Sequence, residues 1–102
     1  KPVTRLVEWC ALATKRRRVF LTPSPGPRWK GLWLLPTAEP SDTEPTATLT
    51  YAITRYRVTL HLRPSAPASD WTPFPLDNLP PMPTPHRNAL ALALTKPRAP
   101  IE

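Results

Sequence analysis

The sequence predicts an α+β domain, a β-sheet structure completed by one C-terminal helix, and three observations carry this. Apolar and β-branched stretches recur between clusters of proline at residues 23–27, 36–45, 64–67 and 73–85. One stretch, "TLTYAITRYRVTLHL" (Thr48–Leu62), alternates apolar and polar residues on both sides of a single break. Only "TPHRNALALAL" has the composition of a helix. A side-chain period of two is the mark of a strand, and Ala and Leu are strong helix formers.

The elements follow in order. Val3–Thr14, "VTRLVEWCALAT", is almost continuously apolar, which predicts a strand covered on both faces. "KRRR" (Lys15–Arg18) makes a charged turn and Val19–Thr22 its hairpin partner. The turn has no Gly or Asn, so a loop of about four residues is expected rather than a primed two-residue turn. Gly31–Leu35 predicts a third strand, ended by Pro36. The connection "TAEPSDTEPTAT" is polar and proline-broken, which argues against a long helix.

Leu49, Tyr51 and Ile53 are apolar at odd positions, whereas Tyr56, Val58, Leu60 and Leu62 are apolar at even ones. The phase slips at Thr54 and Arg55, and a strand that slips phase must bulge, bend or loop. Leu49–Ile53 and Tyr56–Leu62 are therefore two strand segments. Trp71 starts a short edge strand, because its neighbouring prolines cannot donate inside a sheet. The helix runs over Thr84–Leu94, with Thr84 as its N-cap and Pro85 at the first helical position.

With 102 residues, one domain is expected, residues 1–96, followed by a tail, 97–102. There is no apolar run long enough for a transmembrane helix and no visible signal peptide. The chain starts at Lys1 rather than Met, so a fragment of a longer protein is expected. Cys10 is the single cysteine. It cannot form an internal disulfide, no Cys/His set has zinc spacing, and it reads as a small buried hydrophobe. A cytoplasmic location is consistent with that usage.

The net charge is +7, from fourteen Lys and Arg against seven acids, which points to a polyanionic partner. The cations are grouped: "KRRR", then Arg28 and Lys30 around Trp29, then Arg55, Arg57 and Arg63. No G-x-S-x-G or H-E-x-x-H hydrolytic motif is present, and no catalytic or metal-ligating set is expected. His61 reads as a surface or half-buried residue of the sheet's outer face. His86, in the first helical turn, reads as filler or as a phosphate contact at a helix N-terminus. Trp29 and Trp33 read as core residues.

"PGPRWKGLWLLP" resembles the G-L-W-E-F-P strand of the Nudix fold, with Gly31, Leu32, Trp33 and Pro36 matching and Leu34 and Leu35 replacing Glu and Phe. The glutamate-rich Nudix signature that holds Mg²⁺ should follow, and it is absent. Glu39, Asp42 and Glu44 lie among prolines instead. A Nudix-like domain without that signature is similar to the C-terminal domain of the MutY adenine DNA glycosylase family. "RWKGLWLLP" looks like that family's W-x-G-L-W/Y-x-F-P segment. "YAITRYRVTLHL" looks like its H-x-F-S-H stretch, and "WTPFPLDNLPPMPTPHRNAL" like its Leu-Pro and P-x-x-H-R end.

The resemblance implies a Nudix-like mixed sheet with a C-terminal helix, the usual Nudix-box helix being shortened or absent. It implies a DNA-binding domain of a base-excision-repair enzyme, sensing 8-oxoguanine opposite adenine. It also implies an N-terminal domain of the same chain that hydrolyses the N-glycosidic bond and carries a 4Fe-4S cluster. This fragment would hold no cofactor, would not be an enzyme by itself, and would act as a nucleoid-associated monomer. The family's F, S and H fall on Ile53, Thr54 and Arg55, the expected lesion readers. Arg57, Arg28, Lys30, His86 and Arg87 are the expected contacts to the DNA backbone. A general nucleic-acid-binding β-domain and a proline-rich protein-interaction module remain the alternatives.

Overall fold

The computed structural model describes residues 2–95. Its elements are β1 (Thr4–Leu12), β2 (Thr14–Lys15), β3 (Arg18–Pro23), β4 (Trp33–Leu34), β5 (Ala47–Ile53), β6 (Tyr56–Pro64), β7 (Thr72–Pro75) and α1 (Thr84–Thr95).

β6 is the centre of a mixed sheet ordered β1-β6-β5. β1 runs parallel to it from Thr4↔Tyr56 to Leu12↔Pro64, and β5 antiparallel from Ala47↔Leu62 to Ile53↔Tyr56. This register accounts for the phase slip. Leu49 stands opposite Leu60, Tyr51 opposite Val58 and Ile53 opposite Tyr56. Directly opposed side chains share a face, so the two alternations are one apolar face folded back on itself at Thr54–Arg55. Leu6, Glu8 and Cys10 of β1 continue that inner face. Helix α1 packs on it through Ala89, Leu90 and Ala93, against Cys10, Ala47, Leu60 and Leu62. Leu60, Leu62 and Leu90 are at most 1% exposed, and each such burial contributes about 1.5–3 kcal/mol.

β3 organises the second sheet, pairing antiparallel with β2, β4 and β7. Its Val19 and Leu21 are fully buried in the same core as Leu60 and Leu62. β7 is an edge strand, as its composition requires. Pro73 and Pro75 alternate with Thr72 and Phe74, so the missing N–H groups recur at alternate positions, where an edge strand need not donate.

Five expectations are corrected. The predicted strand Val3–Thr14 divides at Ala13, with β1 in the first sheet and β2 in the second. Ala11 and Ala13 are 1% and 0% exposed, and only small side chains let the chain cross so close between two sheets. The N-terminal half of the predicted strand is not covered, since Val3, Leu6 and Val7 are exposed. The "KRRR" loop is a two-residue turn after all: Lys15 pairs directly with Arg18, and Arg16 and Arg17 have φ of 55° and 65°. The third strand shrinks from Gly31–Leu35 to Trp33–Leu34. Helix α1 begins at Thr84 itself, so Pro83 rather than Thr84 holds the capping position: its C=O accepts the Arg87 N–H at 2.9 Å, the first helical bond. The expected tail, 97–102, lies outside the described residues. No described helix is long and apolar enough to cross a membrane.

Candidate nucleic-acid interface

The β5–β6 hairpin presents Thr54 and Arg55 at its tip, both exposed. Thr54 has φ 50°, a left-handed conformation that β-branched residues rarely adopt. Its hydroxyl donates to Ile53 C=O at 2.7 Å, which commits the proton and leaves the oxygen's lone pairs free to accept. The ladder closes at Ile53↔Tyr56, so the Thr54 and Arg55 N–H groups fall outside it. Arg55 C=O accepts the Thr4 N–H at 3.1 Å, tying the start of β1 to the tip. Ile53, Thr54 and Arg55 are thus brought together on an anchored turn.

Arg57 lies two residues beyond, exposed on the outer face, opposite Ala52 of β5 and Arg5 of β1. Directly opposed like charges are destabilising, so an anion suits this face. Arg5 is a missed residue. It joins the group only through the parallel β1–β6 register, which local patterning does not reveal. Arg28, Lys30 and Arg87 are also exposed, but Arg28 and its neighbour Trp29 belong to the inner-face side. Trp29 packs on Tyr51 at 6.3 Å between centroids and beneath the Arg28 guanidinium at 4.6 Å. The expected DNA contacts therefore divide between two sides of the sheet.

His86 requires a correction, because it is 1% exposed and cannot meet a phosphate. Its Nδ1 accepts the Leu35 N–H at 3.0 Å, and its ring meets Trp29 edge-on at 5.3 Å. Its Nε2 faces Glu8 Oε2 at 3.5 Å, beyond ordinary hydrogen-bond length. Tyr51 Oη donates to the other Glu8 oxygen at 2.9 Å. Burial pushes the Glu8 carboxyl up, but His86, the Tyr51 hydroxyl and Arg28 outweigh it and hold the group below its ordinary value. Tyr51 is pushed up by burial and by the Glu8 charge. Glu8 is the second missed residue, and its signal was present: it is the only acid in an otherwise apolar and basic strand.

Glu8 also lines an open cavity of about 440 Å³ with Leu6, Arg28, Pro40, Tyr51 and Val58. The ligating atoms of Glu8, Cys10 and His86 lie within 4.8 Å of one another, so a cation deserves a test. The tautomer decides against it. Nδ1 accepts from Leu35, so the ring proton of neutral His86 sits on Nε2. A metal there would require an imidazole with no proton on either nitrogen, whereas metal-bound histidines keep the second N–H for a donor bond. Burial, reinforced by Glu8, also pushes the Cys10 thiol up, away from the thiolate that a metal needs.

Other residues are packed rather than presented. His61 stacks on Trp9 at 4.6 Å and hydrogen-bonds Thr48 through Nδ1 at 2.8 Å. Trp33 meets Phe74 at 4.7 Å within the core cluster.

A solved structure of a MutT Nudix hydrolase from Burkholderia pseudomallei resembles this chain with a TM-score of 0.63. The likeness covers 86% of this chain and 97% of that one, at 16% identity. The chain has a Nudix-like fold. At that identity the likeness carries the fold alone. No family model and no curated protein matches the sequence. Within the Nudix-like frame, the connection between β4 and β5 contains no helix. Its acids Glu39, Asp42 and Glu44 are exposed and form no cluster of metal-ligating groups among the described residues.

Proposed function

We propose that this Nudix-like domain binds duplex DNA and senses 8-oxoguanine opposite adenine through the β5–β6 tip. It would serve as the C-terminal domain of an A/G-specific adenine DNA glycosylase. Hydrolysis and the 4Fe-4S cluster would belong to a preceding domain of the same protein.

One observation carries the reading: the committed proton and free lone pairs of the exposed Thr54 hydroxyl. Ordinary guanine offers N7 as an acceptor in the major groove. The 8-oxo form offers an N7–H donor and an O8 acceptor instead. Thr54 Oγ1 can accept from N7–H, and the off-ladder N–H of Thr54 or Arg55 can donate to O8. The Arg55 side chain is donor-only and also suits a phosphate. Arg5 and Arg57 supply the charge that holds the backbone on the outer face.

The test is a binding titration of the 102-residue chain with 8-oxoguanine:A and G:A duplexes. One hydrogen bond contributes about 1 kcal/mol, so Thr54→Ala reduces the preference for the lesion about fivefold. Equal losses on both duplexes, or none on either, exclude Thr54 as the reader and leave a binder without lesion preference. No binding at low salt leaves the proline-rich surface as a protein-interaction module.

A further inference from the structure

We propose that the Lys15–Arg18 hairpin tip is a second phosphate clamp for duplex DNA, remote from the Thr54–Arg55 tip. Lys15, Arg16, Arg17 and Arg18 are all exposed. Arg16 and Arg17 both hold positive φ, in a turn for which Asn-Gly is the low-strain sequence. Lys15 stands directly opposite Arg18, a like-charge pair that weakens a hairpin. No ion pair among the described residues relieves these cations. Backbone strain and charge repulsion meet at one turn, and neither serves its stability. Strain of this kind gathers where a chain meets a ligand.

The tip is also held in place. Arg17 C=O accepts the Leu76 N–H at 3.0 Å, fixing the turn against the loop after β7. On one side, Arg16, Arg17 and Arg18 line an open cavity of about 480 Å³ whose one acid is Asp77. On the other, Lys15, Arg16 and Arg18 flank Phe20 and Pro73 around about 310 Å³. Arginine forks on a fixed turn bind phosphate oxygens bidentately.

The placement selects duplex DNA over an acidic peptide. The β1–β6 register puts Thr4 beside the Thr54 tip, and β2 leaves from the other end of β1. The rise of β1 alone sets Thr4 and Leu12 about 26 Å apart; the Thr54–Arg55 turn precedes Tyr56, the partner of Thr4, and the Arg16–Arg17 turn follows β2. Phosphate rows one helical turn apart are about 34–36 Å distant. The two tips therefore suit one duplex at points about a turn apart. This spacing rests on the reading of the Thr54 tip as facing DNA.

The test variant is Arg16→Asn/Arg17→Gly, which removes two charges while suiting the turn geometry. Binding is followed by fluorescence anisotropy against salt, on duplexes of about three turns and about one turn. On the long duplex the variant binds more weakly, and the slope of log K against log salt falls by about 2, near 0.9 per lost phosphate contact. The loss is the same with and without 8-oxoguanine, and it vanishes on the short duplex centred on the lesion. Thr54→Ala gives the reverse pattern, altered discrimination at an unchanged slope, so either reading can fail alone. An unchanged slope on the long duplex overturns the clamp, as does failure of the parent chain to bind that duplex at low salt. An equal deficit on the short duplex overturns its remoteness. Polyglutamate bound as tightly as DNA, and lost in the variant, assigns the tip to acidic protein segments instead.

Discussion

The two hairpin tips, Thr54–Arg55 and Arg16–Arg17, are alike in length and composition. Each is two residues long, and neither contains Gly or Asn. They differ in what fixes them. The first closes strands of seven and nine residues whose apolar positions face one core. A slip of one residue would expose that whole face, so the core dictates the turn. The second is flanked by β2, which is two residues long and exposed. There the register is fixed from outside, by β7 along Arg18–Leu21 and by the Leu76 N–H on Arg17 C=O. A long amphipathic pair imposes its own turn, while a hairpin with one short, exposed strand borrows one from its neighbours.

The largest effect expected from this comparison comes from the strand on which both tips depend. Leu62 of β6 is fully buried, next to Cys10 of β1 and Ala47 of β5. Leu62→Ala costs about 3 kcal/mol, by lost burial and the cavity left behind. Thermal unfolding read by far-UV circular dichroism and by tryptophan fluorescence should show a single, lower transition for both sheets. Two separated transitions would mean that the second sheet and its tip form an independent unit.

The same contrast explains how much of the molecule was legible in its sequence. The Thr48–Leu62 pair, its break at Thr54, the helix and the proline-rich edge strand could all be read, because periodicity and proline chemistry act locally. The division of Val3–Thr14 at Ala13 could not, since an apolar run looks the same whether it serves one sheet or two. The turn at Arg16–Arg17 was hidden because it occupies left-handed conformations without the residues that favour them. In the candidate interface, the Ile53–Arg55 tip followed from the break. Arg5 and the burial of His86 depended on long-range pairing that no local pattern encodes.

A smaller effect addresses the strain at the tips themselves. Two left-handed arginines store more strain than one left-handed threonine, at roughly 1 kcal/mol or more each. Arg16→Asn/Arg17→Gly should therefore stabilise the chain by about 1–2 kcal/mol. Thr54→Gly should gain only about 0.5 kcal/mol, because glycine's unfolded-state entropy offsets part of the relief. Urea midpoints at constant m give both values. If Thr54→Gly gave the larger gain, the Thr54–Arg55 turn would be the more strained, and the comparison would invert.

The smallest effect lies between the tips, at Cys10 of β1 and Tyr51 of β5, whose acidic groups burial and Glu8 push up. For an acid with a raised folded-state pKa, the unfolded chain loses its proton first. Stability is then complete below the unfolded pKa and falls as pH rises beyond it. Cys10 begins this loss near its ordinary value of 9.0 and Tyr51 near 10.0. The slope for a single fully shifted group is about 1.4 kcal/mol per pH unit. At pH 9, where half of the unfolded thiols are ionised, the parent should have lost about 0.4 kcal/mol through Cys10. Cys10→Ala should shift the baseline by a constant and hold it level until Tyr51 starts to titrate. Urea denaturation at half-unit steps from pH 8 to pH 11 separates the two onsets. If parent and variant decline from the same pH, the thiol ionises freely in the folded chain. The part of β1 nearest the Arg16–Arg17 tip would then be looser than its burial implies.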